Sequence, residues 1–420
     1  MRIALVTPYN QRSAISSWAR LVAFELHQRG HEVTIIRAES MEPSMDAPLA
    51  LPPLDAPGAI VAGCDIEPAQ LVAEHDAILY ALGNHFGHHG EVPRLLLDAP
   101  GVVVLHDTDM SDFRNGWAFL RGESEAPPAA LSPEALLGWF AARATGAVVH
   151  ANFYAAAVRQ FARGPVAVLR LSFPDLEVPP PRARKADAPL IVATIGDANA
   201  NKRHDIVVEA IGQSDMLRGS LRYRILGHAQ PERMAELSAR AEALGVEIDF
   251  SGWLSHADLQ AAVAEADVLC CLRWPVTEGS SGSAILGLLS GRPVIVPDVG
   301  SFRDLPDRFV MRVPAGDEFE AVTRHLSIML RHPEVGPALG ASARAWARET
   351  FHPAHYADGV LALLARIEAD RPMTALMGHL RAEAREFGLA ASDPLVLRAW
   401  RDATRAFGSV GDGGDGLSAD

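Results

Sequence analysis

Lysine is almost missing from these 420 residues. Only Lys185 and Lys202 carry an ammonium group, and arginine supplies every other side-chain cation. Cations are outnumbered overall, with 38 Lys plus Arg against 52 acids and a formal net charge of −14. That balance argues against nucleic acid as a partner, because phosphate backbones are held by clustered cations. Residues 1–175 hold 12 arginines, no lysine and 19 acids, a net of −7, so this half offers no polybasic patch to anionic lipid; weak peripheral membrane contact stays open. Cysteine is scarce too. Cys64, Cys270 and Cys271 are too few for a disulfide framework, and the adjacent pair lies in an apolar run, where cysteine reads as a small core residue. Neither a signal peptide nor an apolar run near 18 residues is present, so the expectation is a cytoplasmic protein with no transmembrane segment. There is no G-x-x-x-x-G-K-[ST] loop and no G-x-G-x-x-G after a first strand, which removes the usual markers of ATP hydrolysis and nicotinamide redox chemistry.

What is there is an alternating α/β chain, too long for one core. Strand-like runs fall at 2–7, 31–37, 77–82, 102–106, 147–150 and 166–171, with a helical period over 13–29. Two proline-rich stretches, 39–57 and 122–133, read as long loops. The segment 173–189, with no periodicity and much proline, reads as a linker between domains at 1–172 and 190–352. Beyond it, strands are expected at 190–195, 223–226, 247–250, 268–272 and 294–296. Helices are expected at 317–331, 337–351 and 356–370, then a helical pair over 373–407 and a disordered tail over 408–420. The helices of 353–407 form a C-terminal unit whose first member is expected to return to the N-terminal domain.

The stretch 267–300 concentrates the chemistry. An apolar strand leads through a polar elbow into a helix of small residues, ended by Gly291 and Pro293. The start of such a helix carries unpaired N–H groups and roughly half a positive charge, so Ser280, Ser281, Gly282 and Ser283 suit a phosphate, with Glu278 placing one carboxylate beside it. Lys202 and Arg203 follow another strand and open another helix, where two cations oppose the helix dipole unless an anion is bound. His106 ends an apolar strand and would enter the same crevice. Asp107 and Asp109 form a D-x-D pair that reads as capping the following segment rather than as a metal site. Asn84 and His85, in the run Asn84 to His89, suit hydrogen bonding to a polar acceptor, and the histidine spacing matches no zinc pattern. Residues 13–17 offer hydroxyls and N–H groups at a helix start on the opposite wall.

These residues resemble a family. Leu272-Arg-Trp-Pro275, the stretch from Glu278 to Gly282, Leu286-Gly-Leu-Leu-Ser-Gly291-Arg-Pro293-Val-Ile-Val296 and Asp304-Leu-Pro306 are similar to the signatures of one bacterial branch of retaining GT-B glycosyltransferases, family 4. Gly83-Asn84, Leu105-His106-Asp107 and Lys202-Arg203 match further signatures, and the likeness spans about residues 1–370. It implies two Rossmann-like domains with parallel sheets facing across a cleft, and no metal or permanently bound cofactor. A UDP- or GDP-linked sugar would be the donor, and a saccharide, lipid-linked or small-molecule hydroxyl the acceptor. His106 and Glu278 would be catalytic. Gly196, Lys202, Arg203, Trp253, Leu254, Arg273, Ser280, Ser281, Gly282, Ser283 and Leu286 would line the donor site, and Ser13, Ala14, Asn84 and His85 the acceptor site.

Three departures stand out. Leu286 occupies the place of the second acid of the E-x7-E motif, whose usual partner is ribose. Gly279 occupies the slot where the first acid is expected, and Ser13-Ala14 replaces a glycine pair. They leave room for two other readings, a catalytically silent nucleotide-sugar-binding subunit and a nucleotide-sugar epimerase.

Overall fold

A computed structural model describes residues 1–176, 178–179, 188–386 and 398 of the chain. The first unit is built on seven parallel strands: β1 (Arg2–Thr7), β2 (Glu32–Arg37), β3 (Ile60–Ala62), β4 (Ala77–Leu82), β5 (Val102–Leu105), β6 (Gly146–Val149) and β7 (Val166–Val168), in the order β3-β2-β1-β4-β5-β6-β7. Strands β5 and β6 are buried at every position, as a sheet covered by helices on both faces requires. The second unit has six: β8 (Leu190–Ile195), β9 (Leu221–Leu226), β10 (Glu247–Phe250), β11 (Val268–Cys270), β12 (Val294–Pro297) and β13 (Met311–Val313), ordered β10-β9-β8-β11-β12-β13 and again parallel. This is the two-sheet GT-B architecture.

The edge strands β3 and β13 are absent from the sequence expectation because three residues are too few to show a period. β11 stops at Cys270 rather than residue 272, although the Cys271 amide still donates to the Ile295 carbonyl at 2.8 Å. Cys270 and Cys271 are free thiols, each 1% exposed, on opposite faces of the second sheet.

Both sheets reverse their strand order once, at the β1/β4 boundary and at the β8/β11 boundary. At such a switch point neighbouring connections leave to opposite faces, and a crevice opens outside the carboxyl ends of the strands. The loops bordering these crevices start at Pro8 and Gly83 in the first unit, and at Gly196 and Cys271 in the second.

The stretch after β7 is pinned. Leu176 and Val178 are buried in the second core, and Arg344 and the fully buried Arg292 donate to the carbonyls of Leu176, Val178 and Pro179. The middle of the expected linker, 180–187, lies outside the described residues. At the other end a single 34-residue helix, Pro353–Glu386, packs on helix Ala14–Gln28 of the first unit. It replaces the helix boundary expected near 371: Pro372 removes one backbone donor but leaves the turns on either side free to bond. The rest of the expected helical pair and the tail 408–420 lie outside the described residues. Among the described residues no helix is long and apolar enough to cross a membrane.

Candidate active site at the facing switch points

Lys202 is 6% exposed, and its Nζ donates to the Ile195 carbonyl at 2.9 Å. Gly196 makes this possible: with φ +91° it adopts a left-handed turn, and a Cβ there would lie 2.4 Å from the Lys202 Nζ. Burial, and then the Arg273 guanidinium, push the Lys202 ammonium down to about 8 against the pull of Glu278. Arg203 follows in the left-handed region, φ 53°, as the N-cap of helix His204–Gly212. A polar chain beneath fixes this turn. His204 Nδ1 meets the Tyr223 hydroxyl at 2.7 Å, that hydroxyl meets Thr194 Oγ1 at 2.9 Å, and Thr194 donates to the Cys270 carbonyl.

Arg273 is 5% exposed and reaches Glu278 Oε2 at 3.4 Å. That carboxylate is 38% exposed, and Lys202, the other buried cation of the crevice, feels Glu278 and then Asp197 only at longer range. Ser281 caps helix Gly282–Ser290, its Oγ accepting from the Ala284 amide at 3.4 Å and lying 3.2 Å from Ser283 Oγ. The left-handed Gly291, φ +72°, ends that helix as the sequence predicts. The first amides of the helix face the crevice end of the sheet, where an anion would complete them.

The two units touch through the loops at the carboxyl ends of their strands. The Gly279 amide donates to the His106 carbonyl at 2.7 Å and the Thr108 amide to the Thr277 carbonyl at 2.8 Å, an antiparallel bridge between Asp107 and Glu278. Below the bridge His106 is 8% exposed, with Nδ1 3.1 Å from His150 Nε2 and its ring packed edge-on to Trp18, centroids 4.6 Å apart. Burial, and then His150, hold the His106 imidazole neutral, well below its ordinary range. Arg170, Ser280, Ser281 and Asp304 line a small cavity beside His150, between the units.

The remaining predicted positions divide. Asn84 is committed to structure: its amide donates to Asp107 Oδ2 at 2.7 Å and its Oδ1 accepts from the Phe113 amide at 3.0 Å. Asp109 caps its segment as expected, accepting from the Ser111 amide, whereas Asp107 instead ties β5 to the loop after β4. Burial, opposed by the Asn84 amide and reinforced by Glu278, pushes the Asp107 carboxyl up to about 7. His85 and Ala14 are exposed, and Ser13 is half-buried at the start of helix Ala14–Gln28. Leu286 is 8% exposed and packs in the second core, while Trp253 stands 79% exposed above its half-buried neighbour Leu254. Among the described residues no group of three His, Cys, Asp or Glu side chains is disposed to hold a metal. Sequence reasoning missed His150 and Tyr154, and quoted Asp304 only as part of a motif; each is placed by contacts between distant segments, as where Asp304 Oδ2 accepts from the Asn152 amide at 2.8 Å.

No curated protein is significantly similar in sequence. Several solved structures share the fold. HepE from Anabaena in complex with UDP aligns over 87% of this chain and all of its own at TM-score 0.62 and 14% identity. Sucrose-phosphate synthase from Thermosynechococcus elongatus aligns over 88% and 99% at 0.65 and 17%. WaaG, a glycosyltransferase involved in lipopolysaccharide biosynthesis, aligns over 85% and 99% at 0.56 and 17%. At such identities the likeness establishes the fold alone. In sequence, residues 189–332 match the family model for glycosyl transferases group 1, a span that contains Lys202, Arg273, Glu278 and the Ser281-capped helix. The second unit of this GT-B fold is thus similar in sequence to the glycosyl transferases group 1 family over residues 189–332.

Proposed function

We propose that the protein transfers a sugar from a nucleoside-diphosphate sugar to a hydroxyl acceptor, a saccharide, glycolipid or small molecule, with retention of configuration and without a metal. The carrying observation is the pair of buried cations at the second switch point, Lys202 and Arg273, of which only Arg273 is ion-paired, to the partly exposed Glu278. Such a site is short of negative charge, and a diphosphate supplies it. As the glycosidic bond breaks, charge grows on the leaving diphosphate. Lys202, Arg203, Arg273 and the amides after Ser281 meet that charge without reorganising, so they favour the transition state over the ground state. Glu278 and the diphosphate balance the cationic character of the sugar. His106 closes the sugar subsite from the other unit.

HepE has been crystallised with UDP, with UDP and glucose, and with UDP-glucose, which supports a UDP-linked donor for this chain. A second reading, a nucleotide-sugar-binding protein without turnover, draws on Leu286, which is packed in the core where ribose would otherwise find a carboxylate. A thermal-shift panel of UDP, GDP, TDP and their sugars, followed by donor turnover, separates the two. A true donor site gains about 2.7 kcal/mol at a hundredfold excess over Kd. The proposal is lost if none of these nucleotides stabilises the fold.

A further inference from the structure

We infer that His150 is the positioning residue that presents His106 to the donor sugar as a bare Nε2 lone pair, so the sugar group received there is a hydroxyl. The inference rests on the proposed function for the identity of the sugar, but its tautomer half stands on the hydrogen bonds and burial of the two rings, whatever the donor.

The chain of reasoning starts at a backbone carbonyl. His150 Nδ1 lies 3.0 Å from the Leu169 oxygen, which can only accept, so this nitrogen carries the hydrogen. Burial keeps the His150 imidazole neutral, which leaves its Nε2 without a hydrogen. The 3.1 Å contact with His106 Nδ1 is then a hydrogen bond only if His106 donates. A neutral His106 that donates from Nδ1 has a lone pair at Nε2, and that atom is enclosed with no hydrogen-bond partner. The pair is held in place from two sides. The Tyr154 hydroxyl accepts from the His150 amide at 2.6 Å and donates to the Leu105 carbonyl at 2.9 Å, and Trp18 packs edge-on against both imidazoles. A hydroxyl satisfies the free lone pair by donating to it. A deoxy position offers nothing, and a carboxylate sets oxygen lone pairs against nitrogen's.

The test has two arms. In the first, long-range proton–nitrogen correlation spectra of the full chain labelled with ¹⁵N-histidine, assigned with His106→Asn and His150→Leu, report each ring's tautomer at neutral pH without any ligand. Both rings should carry hydrogen on Nδ1 only; a His106 protonated at Nε2 overturns the positioning role. The second arm measures kcat/KM with UDP-glucose, or GDP-mannose where the guanine nucleotide binds tighter, beside the monodeoxy and uronate forms of that sugar. His150→Leu should lower kcat/KM for the parent sugar about tenfold or more, the worth of one hydrogen bond. His150→Gln, whose amide oxygen can still accept, should recover most of it, and one monodeoxy donor should be indifferent to all three residues at 150. Equal losses for parent and every deoxy donor, in variants whose melting temperature and near-ultraviolet dichroism are unchanged, overturn the hydroxyl assignment. Failure of every nucleoside-diphosphate sugar to bind would instead sink the functional reading, with the ring spectra unaffected.

Discussion

The backbone amide of Gly279 sits 2.7 Å from the carbonyl oxygen of His106, and this bond joins the two α/β units at the point where their switch-point loops meet. A Cβ at 279 would lie 2.4 Å from the Tyr154 hydroxyl and 2.8 Å from the His106 oxygen, so the contact demands glycine. The departure from the family signature at this position thus has a steric cause: an acid in that slot could not coexist with the closed bridge, and the carboxylate stands one residue earlier, at Glu278.

Gly279→Ala should hold the units apart. Its expected cost is a drop of about tenfold or more in kcat/KM, with a larger radius of gyration by small-angle scattering. Adding Tyr154→Phe, which removes the nearer of the two obstructing atoms, should recover part of the loss. Full additivity of the two substitutions would argue against the clash.

Lys202→Ala should lower kcat/KM on the order of 10²-fold or more, as loss of one preorganised charge-stabilising donor does. The pH dependence is equally specific. With the folded ammonium at about 8 and the unfolded one in its ordinary range of 10.5, the unfolded chain binds more protons between those values. The unliganded protein should therefore gain stability as pH rises through this window, and the alanine variant should not. UDP-sugar affinity should move the opposite way, weakening above about pH 8 as the cation is lost. Calorimetric titrations at several pH values would show it.

Asp107 has its carboxyl raised to about 7, so the folded chain holds this proton more tightly than the unfolded one. That contribution is fully present below the ordinary carboxylate range and disappears as pH rises through about 7. Asp107→Asn keeps an oxygen for the Asn84 amide and abolishes the titration. Melting temperatures of the variant should fall less than those of the parent protein between pH 5 and 8; parallel curves would refute the assignment.

Tyr356, 2% exposed on the helix Pro353–Glu386, packs its ring edge-on to Trp18 at 5.3 Å and lies 5.9 Å from the His150 ring. Tyr356→Ala should destabilise the fold by about 3–5 kcal/mol, as other large aromatic truncations in cores do. Its hydroxyl is buried with no hydrogen-bond partner, so Tyr356→Phe should be neutral or stabilising. Urea denaturation of both variants decides this, and a cost for phenylalanine above 1 kcal/mol would mean the hydroxyl is satisfied.

Most of the fold was legible because it is written in local periods. Six-residue apolar runs gave β1, β4 and β8 at their observed bounds, and Gly291 marked the end of the helix whose cap, Ser281, reads in the sequence only as a phosphate-facing hydroxyl. Short edges such as β3 and β13 carry no such period. Lys202 could be singled out because cations at a helix start oppose the helix dipole, and Glu278 because it stands beside another helix start; Arg273 came with the family resemblance. Asn84 was read as an acceptor ligand, whereas its side-chain oxygen is engaged by the Phe113 amide 29 residues along the chain.

By itself, then, the sequence determined two alternating α/β sheets and the charged residues that border the crevice of the second, since strand period, helix ends and stranded charges act over a few residues. Only the tertiary structure decided why Gly279 stands where an acid is expected, which proton His106 carries, and that the last helix braces the histidine pair. Each of those depends on atoms brought within about 3–6 Å across long sequence separations, where packing and burial, rather than local pattern, set the outcome.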